Sequence, residues 1–294
     1  MKVTIIGAGG FVFPIQLIRD LLAFPALQAA TLSLMDIDAG RLKVTADAAR
    51  QLVDLHALPT RLEATTDRRE ALRGADYVIV AFQVGGLDAY RLDVEIPREY
   101  GLDQTVGDTL GPGGVFRGLR TVAVLRGLAA DMKELCPGAL VLQYANPMAI
   151  NCWALSELGV QAVGLCHSVQ GTSRMLARMA GVPIEEVNYL AAGINHQAWF
   201  LRFERRGEDL HPRLREVLER EARERTLPWE GTYEGPGNER VRTEILRLTG
   251  YFHTESSHHA SEYAPWFRRD AGLVKHYLPD RWDYFKVCSG HDEG

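Results

Sequence analysis

Cys166 and His196 are the two side chains whose types and placement say most about chemistry. Each ends an apolar run, VQAVGLC and LAAGINH, and a thiolate with an imidazole is a soft donor pair for a metal ion. Glycines border both: Gly164 precedes the cysteine, and Gly193, with Ile194 and Asn195, precedes the histidine, so backbones can approach closely. Taken singly, a buried cysteine reads as a small apolar filler and a buried histidine as a satisfied core residue. Their joint placement is what points to a cation. Two protein ligands leave coordination positions open, which suits a Lewis acid that chelates substrate hydroxyls. Softness alone ranks zinc or iron ahead of manganese.

The chain opens on a second feature. Gly7-Ala8-Gly9-Gly10 follows the run Val3-Thr4-Ile5-Ile6 and precedes a helical pattern, so amides and a helix N-terminus can face a pyrophosphate. Val12 stands where the third glycine of the usual pattern falls. The second apolar run ends in Met35-Asp36-Ile37-Asp38. An acidic residue there accepts hydrogen bonds from an adenosine ribose and repels a 2′-phosphate, which favours NAD over NADP. The other reading of Asp36 is a cap on the following helix. A metal ion and a redox dinucleotide sharing one cleft is a combination that few reactions require.

Both features need a scaffold, and the hydrophobic rhythm supplies one. Apolar runs near 3–6, 31–35, 61–64, 77–81, 139–143 and 161–165 alternate with helical patterns, which predicts a parallel sheet with helices on both faces. Ile15, Ile18, Leu21 and Leu22 form one expected helix face, with Pro14 in its first turn. Leu119, Val122, Leu125, Leu128, Met132 and Leu135 form another. In a doubly wound, Rossmann-type α/β fold ligands bind at the carboxyl ends of the strands. Asn146, after the fifth strand, and Cys166 and His167, after the sixth, should therefore face the nicotinamide. Beyond 195 come a polar helix (213–225), a Pro/Gly-rich stretch (228–237), a further helix (239–248) and GYFHTESSHHASEYAPWF. This predicts a nucleotide-binding domain over 1–195 and an α-rich substrate domain over 196–294.

The 294 residues are 46% hydrophobic, ample for a packed core. A net charge of −5 with interspersed signs argues against a nucleic-acid surface. The four cysteines show no disulfide spacing, no signal peptide is evident, and no run approaches the ~20 apolar residues that span a bilayer. The expectation is a cytoplasmic protein with a small-molecule partner.

GAGGFVF, LMDID, AFQVGG, GDTLGPGGVFRGLRT, NPMA, GLCHSVQG, AGINH and TESSHHASEYAPWF, in this order, resemble the NAD- and manganese-dependent family 4 glycoside hydrolases, most nearly the melibiase-type α-galactosidases. The resemblance runs from residue 3 to about 268 and implies a lactate/malate dehydrogenase-like nucleotide fold. This family stands apart from two-carboxylate glycosidases. It implies oxidation at sugar C3 by NAD+, loss of the C2 proton to a base, departure of the glycosidic oxygen, addition of water and return of the hydride. Cys166 and His196 would then hold Mn2+ against the C2 and C3 oxygens. Gly7, Gly9, Gly10, Phe11, Asp36 and Asn146 would bind NAD, and Asn146 would also touch sugar hydroxyls. His167 would act as acid or bind a hydroxyl. Tyr263 is the first choice of C2 base, since a cation can lower a phenol pKa, and Glu255 is the second. Arg91 and Asp108 would contact substrate, unless they are a surface ion pair.

The chain departs from the pattern at Ser257-His258-His259, where melibiase-type sequences read SEH, and at a C-terminus that relatives continue well past. A shortened form would leave an apolar surface exposed or covered by another subunit of a homodimer or homotetramer. The substrate expected is a small α-galactoside such as melibiose or raffinose. α-Glucosidase, α-glucuronidase and α-galacturonidase remain alternatives within the family. An NAD-dependent sugar or hydroxy-acid dehydrogenase and a truncated, non-catalytic NAD-binding protein are alternatives outside that reaction.

Overall fold

In a computed structural model, which describes residues 1–10, 13–224, 239–279 and 283–292, six strands form one parallel sheet. They are β1 (Lys2–Ile6), β2 (Thr31–Met35), β3 (Arg61–Thr65), β4 (Tyr77–Val80), β5 (Leu140–Gln143) and β6 (Ala162–Gly164). Their order, β3-β2-β1-β4-β5-β6, is that of a doubly wound dinucleotide-binding sheet. The helices between them are α1 (Phe13–Ala23), α2 (Ala39–Leu55), α3 (Arg68–Leu72), α4 (Gly86–Glu99), α5 (Gly111–Leu135) and α6 (Met148–Glu157). Successive side chains of a strand face opposite ways, and the core divides accordingly. Ile5, Leu34 and Ile79 pack with Ile18 and Leu22 of α1 and Leu42, Ala49 and Val53 of α2. Ile6, Val78 and Val80 pack with Leu125, Leu128 and Met132 of α5 and Leu155 of α6.

The expected α5 face needs one correction, because Leu119 is 63% exposed. At about 100° per residue, nine residues of helix turn through half a circle beyond whole turns, so Leu119 and Leu128 point to opposite sides. A stripe in steps of three drifts off the buried face. Val115 and Phe116 on α5 and Trp153 on α6 are exposed as well.

The chain divides into two compact units: Met1–Ala89 with Gly114–Leu165, and Tyr90–Gly113 with Cys166–Gly294. The boundary thus falls after Leu165, thirty residues before the expected one, and 90–113 cluster with the C-terminal part. The reason is packing. Met175, Leu176 and Ala177 of α7 (Ser168–Met179) share a core with Phe200 and Phe203 of an antiparallel sheet that the sequence reading did not anticipate. That sheet comprises β7 (Val187–Ile194), β8 (Gln197–Arg205), β9 (Glu208–Asp209) and β10 (Phe252–His253). The second unit is therefore mixed, not simply α-rich. Its remaining helices are α8 (His211–Glu224), α9 (Arg240–Thr249), α10 (Ser257–Tyr263), α11 (Ala271–Tyr277) and α12 (Tyr284–Asp292). Leu214, Leu218, Leu246 and Phe252 complete its main core. Among the described residues no helix is long and apolar enough to cross a membrane.

Candidate functional site

In the first unit the glycine turn is held from within. The amides of Gly7 and Ala8 both reach the Met35 carbonyl at 2.9 Å, and Gly10 N–H bonds Gly7 O at 3.1 Å. Asp36 accepts the Gly9 amide at 2.8 Å and the Asp38 amide at 2.9 Å. Those four turn amides are engaged by protein acceptors in this structure. The amides that follow belong to Phe11 and Val12, which lie outside the described residues. The glycines are there for close approach: a Cβ on Gly9 would come 2.8 Å from Asp36 Cγ. Capping of α2 falls to Asp38, which accepts from Gly40 and Arg41, and not to Asp36. The tight turn and the partly buried carboxylate at the end of β2 fit an adenosine dinucleotide. Asn146 stands three residues beyond β5, where Arg117 Nε donates to its carbonyl at 3.1 Å and an Arg117 terminal nitrogen bonds Gln83 at 3.3 Å.

The second unit gathers Cys166, His196, Glu255, Asp108 and Tyr263 into one cluster. β7 and β8 form a hairpin in which Ile194 pairs with Gln197, so Asn195 and His196 are the two loop residues. His196 takes φ +63°, left-handed backbone that costs a non-glycine residue roughly 1 kcal/mol. Gly193 is required beside it, since a Cβ there would meet Gln197 O at 2.3 Å. The hairpin delivers His196 Nε2 to 3.5 Å from Cys166 Sγ. Two ligands sharing one tetrahedral cation, at bonds of about 2.0 and 2.3 Å, stand about 3.5 Å apart, so the pair fits a metal.

Glu255 closes the cradle. Its carboxylate, the Cys166 sulfur and a His196 nitrogen lie within 4.8 Å of one another. The side chain is 4% exposed, bonds the Ser168 hydroxyl, and keeps Oε1 with no hydrogen-bond partner among the described residues. Burial pushes its carboxyl up, but the charges of His196 and His259 and the Ser168 hydroxyl outweigh this and hold it below the usual range. The carboxylate is therefore ionised, and a buried anion with an idle oxygen is a place for a cation. It also adds the hard oxygen donor that Cys166 and His196 lack, which makes the set compatible with manganese.

On the far side of His196, Nδ1 lies 2.7 Å from His259 Nε2 and 2.9 Å from Thr109 Oγ. The Thr109 hydroxyl donates to Asp108 Oδ1 at 2.7 Å, and a carboxylate oxygen of Asp108 lies within 4.8 Å of His196 and His259 nitrogens. Glu262 accepts the amides of Val106 and Gly107 at 2.6 and 3.0 Å and lies 3.3 Å from His259 Nδ1. Burial would lower the pKa of His259, yet Glu262, Glu255 and Asp108 push it up to about 9. Burial, with Glu262 and Asp108, raises the Tyr263 phenol well above its usual 10, so in the metal-free protein its surroundings oppose its ionisation. His167 is exposed at the start of α7. Arg91 is not part of the cluster: it is exposed on α4 and pairs with Glu95 at 3.4 Å, a helix-surface ion pair. Thr109, Ser168 and Glu262 were not singled out in the sequence, where each reads as an ordinary polar residue, and His259 appeared only as part of the altered SEH triplet.

His253 gives the unit an acid-sensitive joint. Its Nδ1 accepts the Glu255 amide at 3.1 Å and its Nε2 faces Gln197 Oε1 at 3.0 Å, which fixes the neutral ring. Burial depresses its pKa from 6.5 to about 4. A depressed pKa contributes stability that is present above 6.5 and lost as pH falls toward 4, because the unfolded chain takes the proton first. Metal-free protein should lose about 3 kcal/mol over that window from this group. Urea unfolding at pH 7, 5.5 and 4 measures it, and His253→Gln should flatten most of the slope.

The doubly wound sheet, its glycine turn and the cysteine–histidine–carboxylate cradle define a class: an α/β protein equipped for a dinucleotide and a divalent cation. The family follows from comparison. This chain belongs to the family 4 glycosyl hydrolases, whose model matches residues 2–182 and whose C-terminal-domain model matches 191–287. It is 40% identical over 279 residues to an α-galactosidase of Rhizobium meliloti (strain 1021), covering 94% of this chain and 55% of that protein. It is also 40% identical over 268 residues to an α-galactosidase of Bacillus subtilis (strain 168), covering 90% and 60%. The chain thus spans between half and two thirds of the length of these relatives. Among solved structures, the lplD protein of Bacillus subtilis superposes with a TM-score of 0.83 at 27% identity, covering 100% of this chain and 69% of that one. A 6-phospho-α-glucosidase from gut microorganisms, solved with NAD and Mn2+, shares the fold with a TM-score of 0.78 at 23% identity, covering 99% and 66%.

Proposed function

We propose that this protein is an NAD- and Mn2+-dependent α-galactosidase acting on small α-galactosides. The observation that carries the reading is the Cys166–His196–Glu255 cradle, with its 3.5 Å sulfur–nitrogen separation and idle buried oxygen, in a chain of this family. Galactosides are favoured because both relatives at 40% identity are α-galactosidases, whereas the α-glucosidase and α-galacturonidase relatives reach 34% and 33%. When bound, NAD+ supplies a reversible two-electron acceptor at sugar C3, and the cation supplies a Lewis acid at the C2 and C3 oxygens.

The remaining chemistry falls to side chains. Glu255 serves as the third donor to the cation, which leaves Tyr263 as the base at C2. Burial and the carboxylates of Glu262 and Asp108 hold the phenol protonated, so it needs the adjacent positive charge of the loaded site to give up its proton. His167, next to Cys166 and exposed, is suited to protonate the departing glycosidic oxygen. Gly7, Gly9, Gly10 and Asp36 bind the dinucleotide, and Asn146 contacts ribose and sugar hydroxyls. Asp108 supports the site from beside Thr109, His196 and His259 and does not itself need to touch sugar. The first unit serves as the nucleotide-binding domain and the second as the metal and substrate domain. A cytoplasmic homo-oligomer is part of the same reading, with exposed Val115, Phe116, Leu119 and Trp153 as the apolar surface for it.

The test is release of p-nitrophenol from its α-galactoside with each cofactor added and withheld. Sugar release that requires both Mn2+ and NAD+, without net NADH, is the expected result. Steady NADH accumulation without sugar release would make the protein a dehydrogenase, and preference for an α-galacturonide would move the substrate within the family.

A further inference from the structure

His196 has two ring nitrogens, and its surroundings assign them different work. Nε2 faces Cys166 Sγ at 3.5 Å, the separation of two ligands on one cation. Nδ1 faces His259 Nε2 at 2.7 Å. That distance is too short for a shared cation, since two nitrogens on one tetrahedral ion at about 2.0–2.1 Å stand roughly 3.3 Å apart. It is a hydrogen-bond distance, and a hydrogen bond between two imidazoles contains one proton. Asp108, His196 and His259 also bring ligand atoms within 4.8 Å of one another, but the short N···N contact makes this group a hydrogen-bonded support and not a second cradle.

We infer that His259 is a positioning residue for the metal-binding histidine. The inference rests on the proposal that Cys166 and His196 hold the cation. A neutral imidazole that gives its Nε2 lone pair to a metal keeps its proton on Nδ1, and that N–H then needs an acceptor. His259 Nε2 is the nearest one, with the Thr109 oxygen at 2.9 Å beside it. Without a cation the surrounding carboxylates favour a His259 ring protonated on both nitrogens; with a cation on His196 Nε2 the Nδ1 proton of His196 occupies the contact, so His259 Nε2 must be bare and its one proton sit on Nδ1, where Glu262 Oε1 lies at 3.3 Å. Glu262 is itself fixed by the amides of Val106 and Gly107. The chain His196 Nδ1–H to His259 Nε2, then His259 Nδ1–H to Glu262, thus turns the His196 ring and selects its tautomer. Metal-binding histidines commonly hand their second N–H to a carboxylate. Here a second imidazole is interposed between ring and carboxylate. His259 is 6% exposed and its ring packs edge-on against His196, centroids 4.4 Å apart, so it has little freedom to do otherwise. The left-handed backbone of His196 makes this support more necessary, because a strained loop residue holds its rotamer only when its neighbours fix it.

The experiment measures Mn2+ affinity by the loss of its free-ion EPR signal in the full chain, with NAD+ affinity and thermal unfolding recorded alongside. His259→Ala should weaken Mn2+ binding by about 10- to 100-fold, the usual cost of losing such a partner, with NAD+ affinity unchanged. His259→Gln, whose amide oxygen can accept the Nδ1 proton, should recover most of the loss. In wild-type protein labelled with 15N-histidine and loaded with diamagnetic Zn2+, His196 should have its proton on Nδ1 and His259 on Nδ1. A proton on His259 Nε2 in that state, or Mn2+ affinity unchanged in a folded His259→Ala protein, would overturn the inference. Cys166→Ala separates the two layers. If it binds Mn2+ like wild type, the cradle itself is wrong; if it loses Mn2+ while His259→Ala keeps it, only the positioning role fails.

Discussion

Cys166→Ala is expected to remove the α-galactoside hydrolysis proposed for this protein, with a loss in kcat/KM of at least about a thousandfold, equivalent to about 4 kcal/mol of transition-state stabilisation. The sulfur is one of the three donors proposed for the cation, and its removal would leave only His196 and Glu255 to hold an ion that, on that reading, also binds sugar oxygens. Mn2+ affinity should fall with activity. NAD+ affinity should not, because Gly7, Gly9, Gly10 and Asp36 belong to the other compact unit. Stability should change little, since Cys166 is only partly buried and lies outside both apolar cores of its unit. Titration with Mn2+ and with NAD+, beside steady-state kinetics, separates these outcomes. Undiminished turnover in chelator-washed, Mn2+-reconstituted Cys166→Ala would falsify the ligand assignment.

Gly7→Ala should be the most damaging single change on the nucleotide side. Gly7 has φ +94°, and a Cβ there would sit 2.8 Å from Ala81 C and O at the end of β4 and 2.8 Å from Phe82 Cβ. Left-handed backbone alone costs an alanine about 1–2 kcal/mol. The collision with main chain adds to that, because backbone in a central parallel sheet cannot yield as the end of a flexible side chain can. We expect about 3 kcal/mol or more of lost stability and an NAD+ affinity reduced at least tenfold, since the turn must move away from β4 to make room. Gly74→Ala is the control: its φ is +69° but nothing lies within 4 Å of the added carbon, so only the conformational part should appear. Thermal unfolding and calorimetric NAD+ titration of both variants test this. Equal losses in the two would show that crowding at the turn has no part in the effect.

The parallel sheet was legible because its signals are local. Each strand is a short apolar run and each crossover helix has its own periodicity, so the six predicted strands agree with the observed ones to within a residue or so at each end. The second unit was less legible for the opposite reason. LAAGINH was read for the histidine it carries and not for the hairpin it forms with the segment that follows, and the register shift opposite Leu190 and Ala191 inserts Leu201 into β8, where buried Phe200 and Phe203 stand three residues apart and the two-residue alternation is lost. The compact units divide after Leu165 and not after 195 because rhythm along the chain does not report which core a helix joins, and α7 joins the second.

By itself the sequence determined the doubly wound sheet, the glycine turn with its acid at the end of β2, and the family to which the chain belongs. These depend on contiguous residues, and contiguous residues have their spacing fixed by covalent geometry. Only the tertiary structure decided the company that His196 keeps. Thr109 reaches it across 87 residues and Val106 reaches Glu262 across 156, distances over which sequence carries no geometry. Which nitrogen of His196 is left for a metal is settled by a 2.7 Å contact with a residue 63 positions away. Two imidazoles acquire distinct protonation roles only when packing brings them within the length of one hydrogen bond.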